Sequence, residues 1–348
     1  MRPSLAHFVL AAMVIAGVTQ AKDGGGGAPR VTALVITPAR IDAGRSPLTL
    51  LLRPEELTDG DGAAFYNKAV RALPATLEKG QLSYWIKEPL DNLRLDQAEA
   101  QALLQQAQAS LDLVGQGTRC KSCRWPPFVP GTMPPNLTEY RLLGDLVHLK
   151  ARLEILQLQY DQAATTIRTG LAMAKHVGEA PTVMQGMVGV AIASLLLRSV
   201  EDWSQTKDAP NLYPALHVLP PPLIDLNVPM STELKNLETN TQYNRLVKGM
   251  MRRQLEGSFV AVRRLMNRLD GNVAALECIE VLRHFAAGHD GRLPAQLSEI
   301  TDLQVPNDPA TEKPFVYRTE GPKAILEVAP PKDGSPREAL RYEVTVAH

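Results

Sequence analysis

The chain has 348 residues, of which 45% are hydrophobic and 21% are charged, a balance typical of globular proteins and unlike that of disordered ones. It carries 37 basic and 37 acidic residues. The resulting formal net charge of zero argues against nucleic-acid binding by the molecule as a whole. Only 5% of the residues are aromatic, which favours a helical protein built from Leu and Ala over a sheet sandwich.

The N-terminus has the pattern of an export signal. Arg2 is followed by an apolar run over residues 8–18 and by a cleavage-like Thr19-Gln20-Ala21. We therefore predict that residues 1–21 are a signal peptide and that the protein is periplasmic or secreted. An uncleaved segment would instead anchor the chain in the membrane. Residues 22–30, with four consecutive glycines, are predicted to be a linker.

Residues 31–118 are predicted to form an extended segment followed by helices. Short apolar runs over residues 31–37 and 48–52 favour extended structure. A capping turn over residues 58–61 precedes a helix over residues 63–73. A second helix is predicted over residues 96–114, with Asp96 as its N-cap.

A loop rich in Cys and Pro follows at residues 119–138. Cys120 and Cys123 leave three alternatives open, namely a disulfide between them, pairing of either with Cys278, or unreactive free thiols. Redox catalysis is disfavoured because the pair lies among helices and before two prolines. Zinc binding is disfavoured because the chain offers no second pair of cysteines. No metal and no cofactor is predicted.

Residues 139–271 are predicted to be a central helical domain. Leucines three and four residues apart give residues 140–156 one broad apolar stripe, and a second stripe runs from Ala163 to Val177. Residues 182–200 are apolar on nearly every face. Because their most apolar part, residues 187–197, is short for a bilayer span, we predict a buried central helix.

A basic amphipathic helix is predicted over residues 244–269. Its polar faces carry seven basic residues and one acidic residue, Glu256. Such a helix can bind anionic lipid, nucleic acid or an acidic partner. The alternative is a solvated face that pairs with acidic helices elsewhere. The predicted partner or anion surface consists of Arg245, Lys248, Arg252 and Arg263.

The last segment, residues 272–348, is predicted to be a helix followed by a small β tail. Strands are expected at residues 314–317, 324–328 and 341–346. The predicted fold class is therefore mainly α, with antiparallel helical pairs in a degenerate repeat-like bundle and a small C-terminal α+β tail.

Six residues of that tail occur in an order that resembles the globular tail of type II secretion pseudopilins over residues 273–328, namely Leu293, Pro294, Asp308, Pro309, Phe315 and Tyr317. The resemblance implies a helix followed by a small sheet. It does not imply filament assembly, because the family's hydrophobic assembly helix is N-terminal and the corresponding helix here is internal and carries charged residues.

Four sequence segments resemble parts of uncharacterised exported bacterial proteins in which such a tail follows a helical region. These segments are residues 123–125, 169–176, 185–189 and 210–216. That resemblance implies an architecture and no activity. Residues 160–171 also look like the second half of a tetratricopeptide unit, but Lys150 and Ala151 replace the Leu-Gly of the first half. We therefore predict one degenerate unit and no repeat array.

The sequence contains no His-Glu-x-x-His, no Gly-x-Ser-x-Gly, no phosphate-binding loop and no dinucleotide fingerprint. We predict a non-enzymatic exported scaffold that binds an envelope protein or peptide. One alternative is an extracytoplasmic hydrolase with a site near His148, His176 or Asp225. Another is docking of the basic helix to an anionic lipid surface, so that membrane contact arises either there or through an uncleaved signal segment.

Overall fold

The computed structural model describes residues 29–42, 44, 46–127, 134–241, 243–332 and 334–347. The predicted signal peptide lies outside the described residues. The described residues form eleven α-helices and eight short strands, and the predicted mainly α class with a small C-terminal sheet is confirmed. The helices are α1 Gly62–Arg71, α2 Lys79–Trp85, α3 Leu90–Leu95, α4 Gln97–Gln106, α5 Gln108–Thr118, α6 Leu137–Leu156, α7 Tyr160–Gly178, α8 Val183–Gln205, α9 Tyr213–His217, α10 Asn227–Thr239 and α11 Arg245–Gly288.

The centre of the molecule consists of α6, α7 and α8, which pack against one another, and α11 covers a further side of α8. The three predicted central helices are therefore confirmed. By length and composition, α8 is the one helix among the described residues that could cross a membrane, with a mean hydropathy of 1.6. Most of its apolar window is buried by its neighbours, as the predicted central position requires.

The N-terminal helices differ from the predictions in two places. The helix expected over residues 96–114 is interrupted at Ala107, which separates α4 from α5. Asp96 occupies the N-cap position of α4, but its side chain makes no cap bond and accepts a 2.9 Å hydrogen bond from Trp85 Nε1 instead. A tertiary contact has thus taken the carboxylate away from the helix end.

The segment before α1 also differs from the predictions. Residues 48–52 form no strand, and the predicted turn at residues 58–61 is the short strand β2, Thr58–Asp61, which pairs with β3, Cys120–Ser122. The predicted capping is nevertheless present, since Asp61 accepts a 3.2 Å bond from the backbone of Ala63 at the start of α1.

The main sheet joins the two ends of the chain. Its order is β1-β8-β7-β6, in which β1 Arg30–Ile36 runs parallel to β8 Leu340–Val346 and the other pairs are antiparallel. The remaining strands are β4 Asn307–Asp308, β5 Lys313–Pro314, β6 Val316–Glu320 and β7 Lys323–Val328. The strands predicted at residues 324–328 and 341–346 are β7 and β8, whereas the strand predicted at residues 314–317 is divided at Phe315 between β5 and β6. The N-terminal strand β1 completes the C-terminal sheet, a pairing that was not predicted.

Helix α11 is continuous over 44 residues, although two helices and a boundary at residues 271/272 were predicted. The sequence Asp270-Gly271-Asn272 has the composition of a turn, yet each residue has a tertiary contact that suits a helix. Asp270 accepts from the backbone of Leu223 at 2.9 Å, Asn272 accepts from the Tyr342 hydroxyl at 2.5 Å, and Gly271 lies against Val328. These contacts override the local preference for a break.

Candidate functional site

A surface groove of about 690 Å³ lies between α5, α6 and α7, beside the β2-β3 pair. This volume falls within the range of small-ligand and peptide sites. The buried side chains of Leu111 and Val147 form its apolar base, with Phe65 alongside. Six polar residues line the walls, namely Gln108, Asp112 and Gln116 on α5 and Thr165, Thr166 and Thr169 on α7.

The polar walls arise because α5 and α7 turn their hydrophilic faces toward the groove. Gln108 donates to Asp112 at 2.7 Å, one helical turn further on. Thr165 and Thr169 each donate to the carbonyl four residues earlier in α7, so the lone pairs of both hydroxyl oxygens face outward as acceptors. The walls therefore present both amide donors and oxygen acceptors.

Charged side chains occur at the edges of the groove. Lys150 donates to the carboxylate of Glu154 and, at 3.0 Å, to the hydroxyl of Thr166. Asp59 is paired with Lys121 at 2.9 Å. Arg119 also lines the groove and is exposed, with no ion pair among the described residues. The groove thus holds one cation that a bound carboxylate could pair with.

An aromatic cluster fastens the Cys/Pro loop beside the groove. Trp125 stacks on Tyr66 with ring centroids 6.1 Å apart and meets Tyr140 edge-on at 5.3 Å. Its indole nitrogen donates to the carbonyl of His176 at 2.7 Å, and the His176 ring shares a 2.7 Å bond with the Tyr66 hydroxyl. Two of the four sequence segments that resemble exported bacterial proteins, residues 123–125 and 169–176, are therefore in contact in this cluster.

Cys120, Cys123 and Cys278 are free thiols in the structure. Burial raises the pKa of all three thiols, which keeps them protonated and unreactive. Cys120 lies at the groove, where its sulfur contacts the Gln116 carbonyl at 3.6 Å.

His176 is expected to make the protein sensitive to acid. Burial, with a smaller effect of Lys175, lowers the His176 pKa from 6.5 to about 4. Between these pH values the unfolded chain binds a proton that the folded chain excludes, so stability declines as the pH falls. As the pH falls from 6.5 to about 4, the free energy of unfolding of the wild type should decrease by about 2–3 kcal/mol more than that of His176→Gln.

Urea unfolding at a series of pH values measures this difference, with His289→Gln as the matched control because His289 is exposed. A His176→Gln variant with the same pH slope as the wild type would contradict the expectation. Burial also lowers the pKa of His148, so His148 contributes to the pH dependence of the free energy of unfolding in every variant.

The three residues suggested for a hydrolase lie in separate environments. His148 is buried and shares a 2.7 Å bond with Ser199, which is also buried. The neighbouring carboxylate of Asp202 binds Arg152 at 2.7 Å and is not an orienting partner for His148. Asp225 accepts a bond from the backbone of Asn227 at 2.8 Å. The structure therefore assembles no accessible nucleophile with a base from these residues.

The predicted basic surface lies along the first half of α11. Arg252 is paired with Glu238 at 3.0 Å and with Glu256 at 2.9 Å, while Lys248 donates to the backbone carbonyl of Glu238 at 2.6 Å. Arg245 and Arg263 are exposed and have no ion pair in the described part of the chain. The surface is thus partly neutralised by α10 and partly open to solvent.

No group of three His, Cys, Asp or Glu side chains that could hold a metal ion occurs among the described residues. The wall residues of the groove were not predicted from the sequence. The only available signal was the amide and hydroxyl content of the outward faces of α5 and α7, which solvated helices also show. Comparison of the chain with protein-family models, curated proteins and solved structures gives no match.

Proposed function

We propose that the protein is an exported, non-enzymatic helical interaction module, and that the groove between α5, α6 and α7 binds a short extended segment of another envelope protein. The observation that carries the proposal is the groove itself, with its buried apolar base and its walls of amides and hydroxyls. The export signal predicted at residues 1–21 supports an envelope location.

The dimensions suit a peptide. Along α5, the wall from Gln108 to Arg119 extends about 16 Å, which matches an extended chain of about five residues. An extended peptide presents backbone N–H and C=O groups at regular intervals, and these need the acceptors and donors that Gln116, Thr165 and Thr169 provide. The base at Leu111 and Val147 would receive one or two apolar side chains, and Arg119 would pair with a carboxylate.

Gly115 offers a way to block the groove without disturbing the fold. It lines the groove on α5, and a Cβ added there would meet no atom within 4 Å. We expect Gly115→Trp to fill the groove and reduce peptide affinity by at least about tenfold, because the indole occupies the space of a bound side chain. Gly80→Trp is the matched control, since Gly80 is a helical glycine with equally open surroundings and lies outside the groove.

The measurement is selection of a random peptide library against the wild type, followed by titration of the selected peptides against both variants. Peptides that bind the wild type and Gly80→Trp but not Gly115→Trp would support the proposal. It would be contradicted if no peptide is selected, or if the selected peptides bind Gly115→Trp with wild-type affinity.

A further inference from the structure

The first half of α11 exposes apolar side chains on the side that faces away from the protein. Leu246 is 72% exposed, Met250 58% and Val260 43%. At 3.6 residues per turn these three share one side of the helix with Arg253 and Gly257, and they span about 21 Å. We call these five residues the outer face of α11. The opposite side carries Phe259, Val262 and Met266, which are buried in the core.

The outer face is positively charged. Arg253 lies within it, and Arg245 and Arg263 flank it, each exposed and without an ion pair among the residues that the structure describes. The one nearby carboxylate on α11, Glu256, is bound by Arg252 at 2.9 Å. Three uncompensated cations therefore lie in or beside the outer face, with Arg253 within it and Arg245 and Arg263 along one edge.

We propose that the outer face of α11 docks on the surface of a bilayer that contains anionic phospholipid. A cationic helix face with a few apolar side chains gains electrostatic attraction from the headgroups and additional free energy from shallow insertion of Leu246, Met250 and Val260. A folded protein partner would cover these separated apolar residues only with a surface of matching shape. A fluid lipid surface adapts to them, and its charge complements that of the arginines.

The test is vesicle co-sedimentation of the chain from residue 22 onward, which removes the predicted signal segment. Vesicles of phosphatidylglycerol mixed with phosphatidylcholine are compared with vesicles of phosphatidylcholine alone, at low and high salt. We expect binding only to the anionic vesicles and weaker binding at high salt. Neutralising all three exposed arginines should reduce the affinity roughly a hundredfold, since each basic residue near the surface contributes about fivefold.

The loss variant is Arg245→Gln with Arg253→Gln and Arg263→Gln. Its matched control is Arg71→Gln with Lys79→Gln and Arg94→Gln, which removes three exposed cations from α1, α2 and α3. A gain variant, Gly257→Trp, adds an interfacial aromatic side chain to the outer face, where an added Cβ would meet no atom within 4 Å. It should bind anionic vesicles several-fold more tightly.

Equal binding to neutral vesicles, no binding to anionic vesicles, or equal losses in the loss and control variants would overturn the proposal. Self-association that the loss variant abolishes, measured by sedimentation without lipid, would assign the outer face to a second copy of the chain instead. Because Gly115→Trp leaves the outer face intact, it should bind vesicles like the wild type, so the lipid and peptide proposals fail independently.

Discussion

Replacing Arg283 with Met is expected to lower the free energy of unfolding by about 3–5 kcal/mol. The Arg283 side chain is completely buried in α11 and pairs with the equally buried Glu280 at 2.8 Å. It also donates to the carbonyls of Thr37 and Ala209, both at 2.8 Å. Without the guanidinium, a buried carboxylate would lose its counterion and two buried carbonyls would lose a donor.

The same ion pair connects three segments that are distant in the sequence, which is a second reason to expect a large loss of stability in Arg283→Met. Glu280 accepts a 2.7 Å bond from the backbone of Leu212, in the loop before α9. Asn211 in that loop donates to the carbonyls of Ala39 and Glu280. The chain after β1, the loop before α9 and the last part of α11 therefore share one hydrogen-bonded network, and its loss loosens all three.

Urea unfolding followed by circular dichroism measures the effect. Arg318→Met is the control, because Arg318 forms a 2.9 Å ion pair with Glu327 at the exposed surface, and its removal should change the stability far less. The double variant Glu280→Met with Arg283→Met should lose less than the sum of the two single variants, since it leaves no unpaired charge. A loss below about 1 kcal/mol for Arg283→Met would contradict the assigned role.

The helices around the core were predictable because their apolar residues recur at helical spacing. Leu142, Leu146, Leu149 and Leu153 identified α6, and the nearly continuous apolar stretch in α8 identified the buried helix. The alternation of residues 341–346 likewise predicted β8. In each case the burial of one face or of all faces can be read from the spacing of the apolar residues along the sequence.

Features that depend on contacts between distant residues are not indicated by any local pattern in the sequence. The pairing of β1 with β8 joins residues about 310 positions apart, as in Arg30 with Leu340, and nothing local to either strand specifies the other. Glu277, Glu280 and Arg283 are charged residues of α11, and all three are buried. The spacing of Glu280 and Arg283 allows a pair one turn apart on a helix, but only the fold determines that this pair is buried.

The groove was missed for a related reason. Its walls combine Gln116 of α5 with Thr165 and Thr169 of α7, which are about fifty residues away in the sequence. Each of these side chains, considered by itself, is an ordinary polar residue on the outside of a helix. Residues 123–125 and 169–176, which resemble segments of exported bacterial proteins, instead contribute to the aromatic cluster beside the groove.

Gly189→Ala is expected to destabilise the protein by about 3 kcal/mol, because the backbone of α7 lies directly against α8 at this residue. A Cβ added to Gly189 would lie 2.5 Å from the carbonyl oxygen of Ala174 and 2.6 Å from the backbone nitrogen of Gly178. Both atoms belong to the backbone of α7, so no side-chain rotation can relieve the clash. The two helices would have to separate, and the contacts around the buried α8 would be lost with them.

The same substitution at two other helical glycines isolates this cause. At Gly186 the added Cβ would meet the Leu226 Cδ2, a side-chain end, at 2.6 Å and the Gly178 carbonyl oxygen only at 3.3 Å, so we expect Gly186→Ala to destabilise by about 1 kcal/mol or less. Gly249→Ala places its Cβ in open space on α11 and should stabilise by about 0.5–1 kcal/mol through helix propensity alone. Urea unfolding of the three variants should rank them Gly189, Gly186 and Gly249 from least to most stable. Equal stabilities for the Gly189 and Gly186 variants would show that the contact between α7 and α8 can open without a large loss.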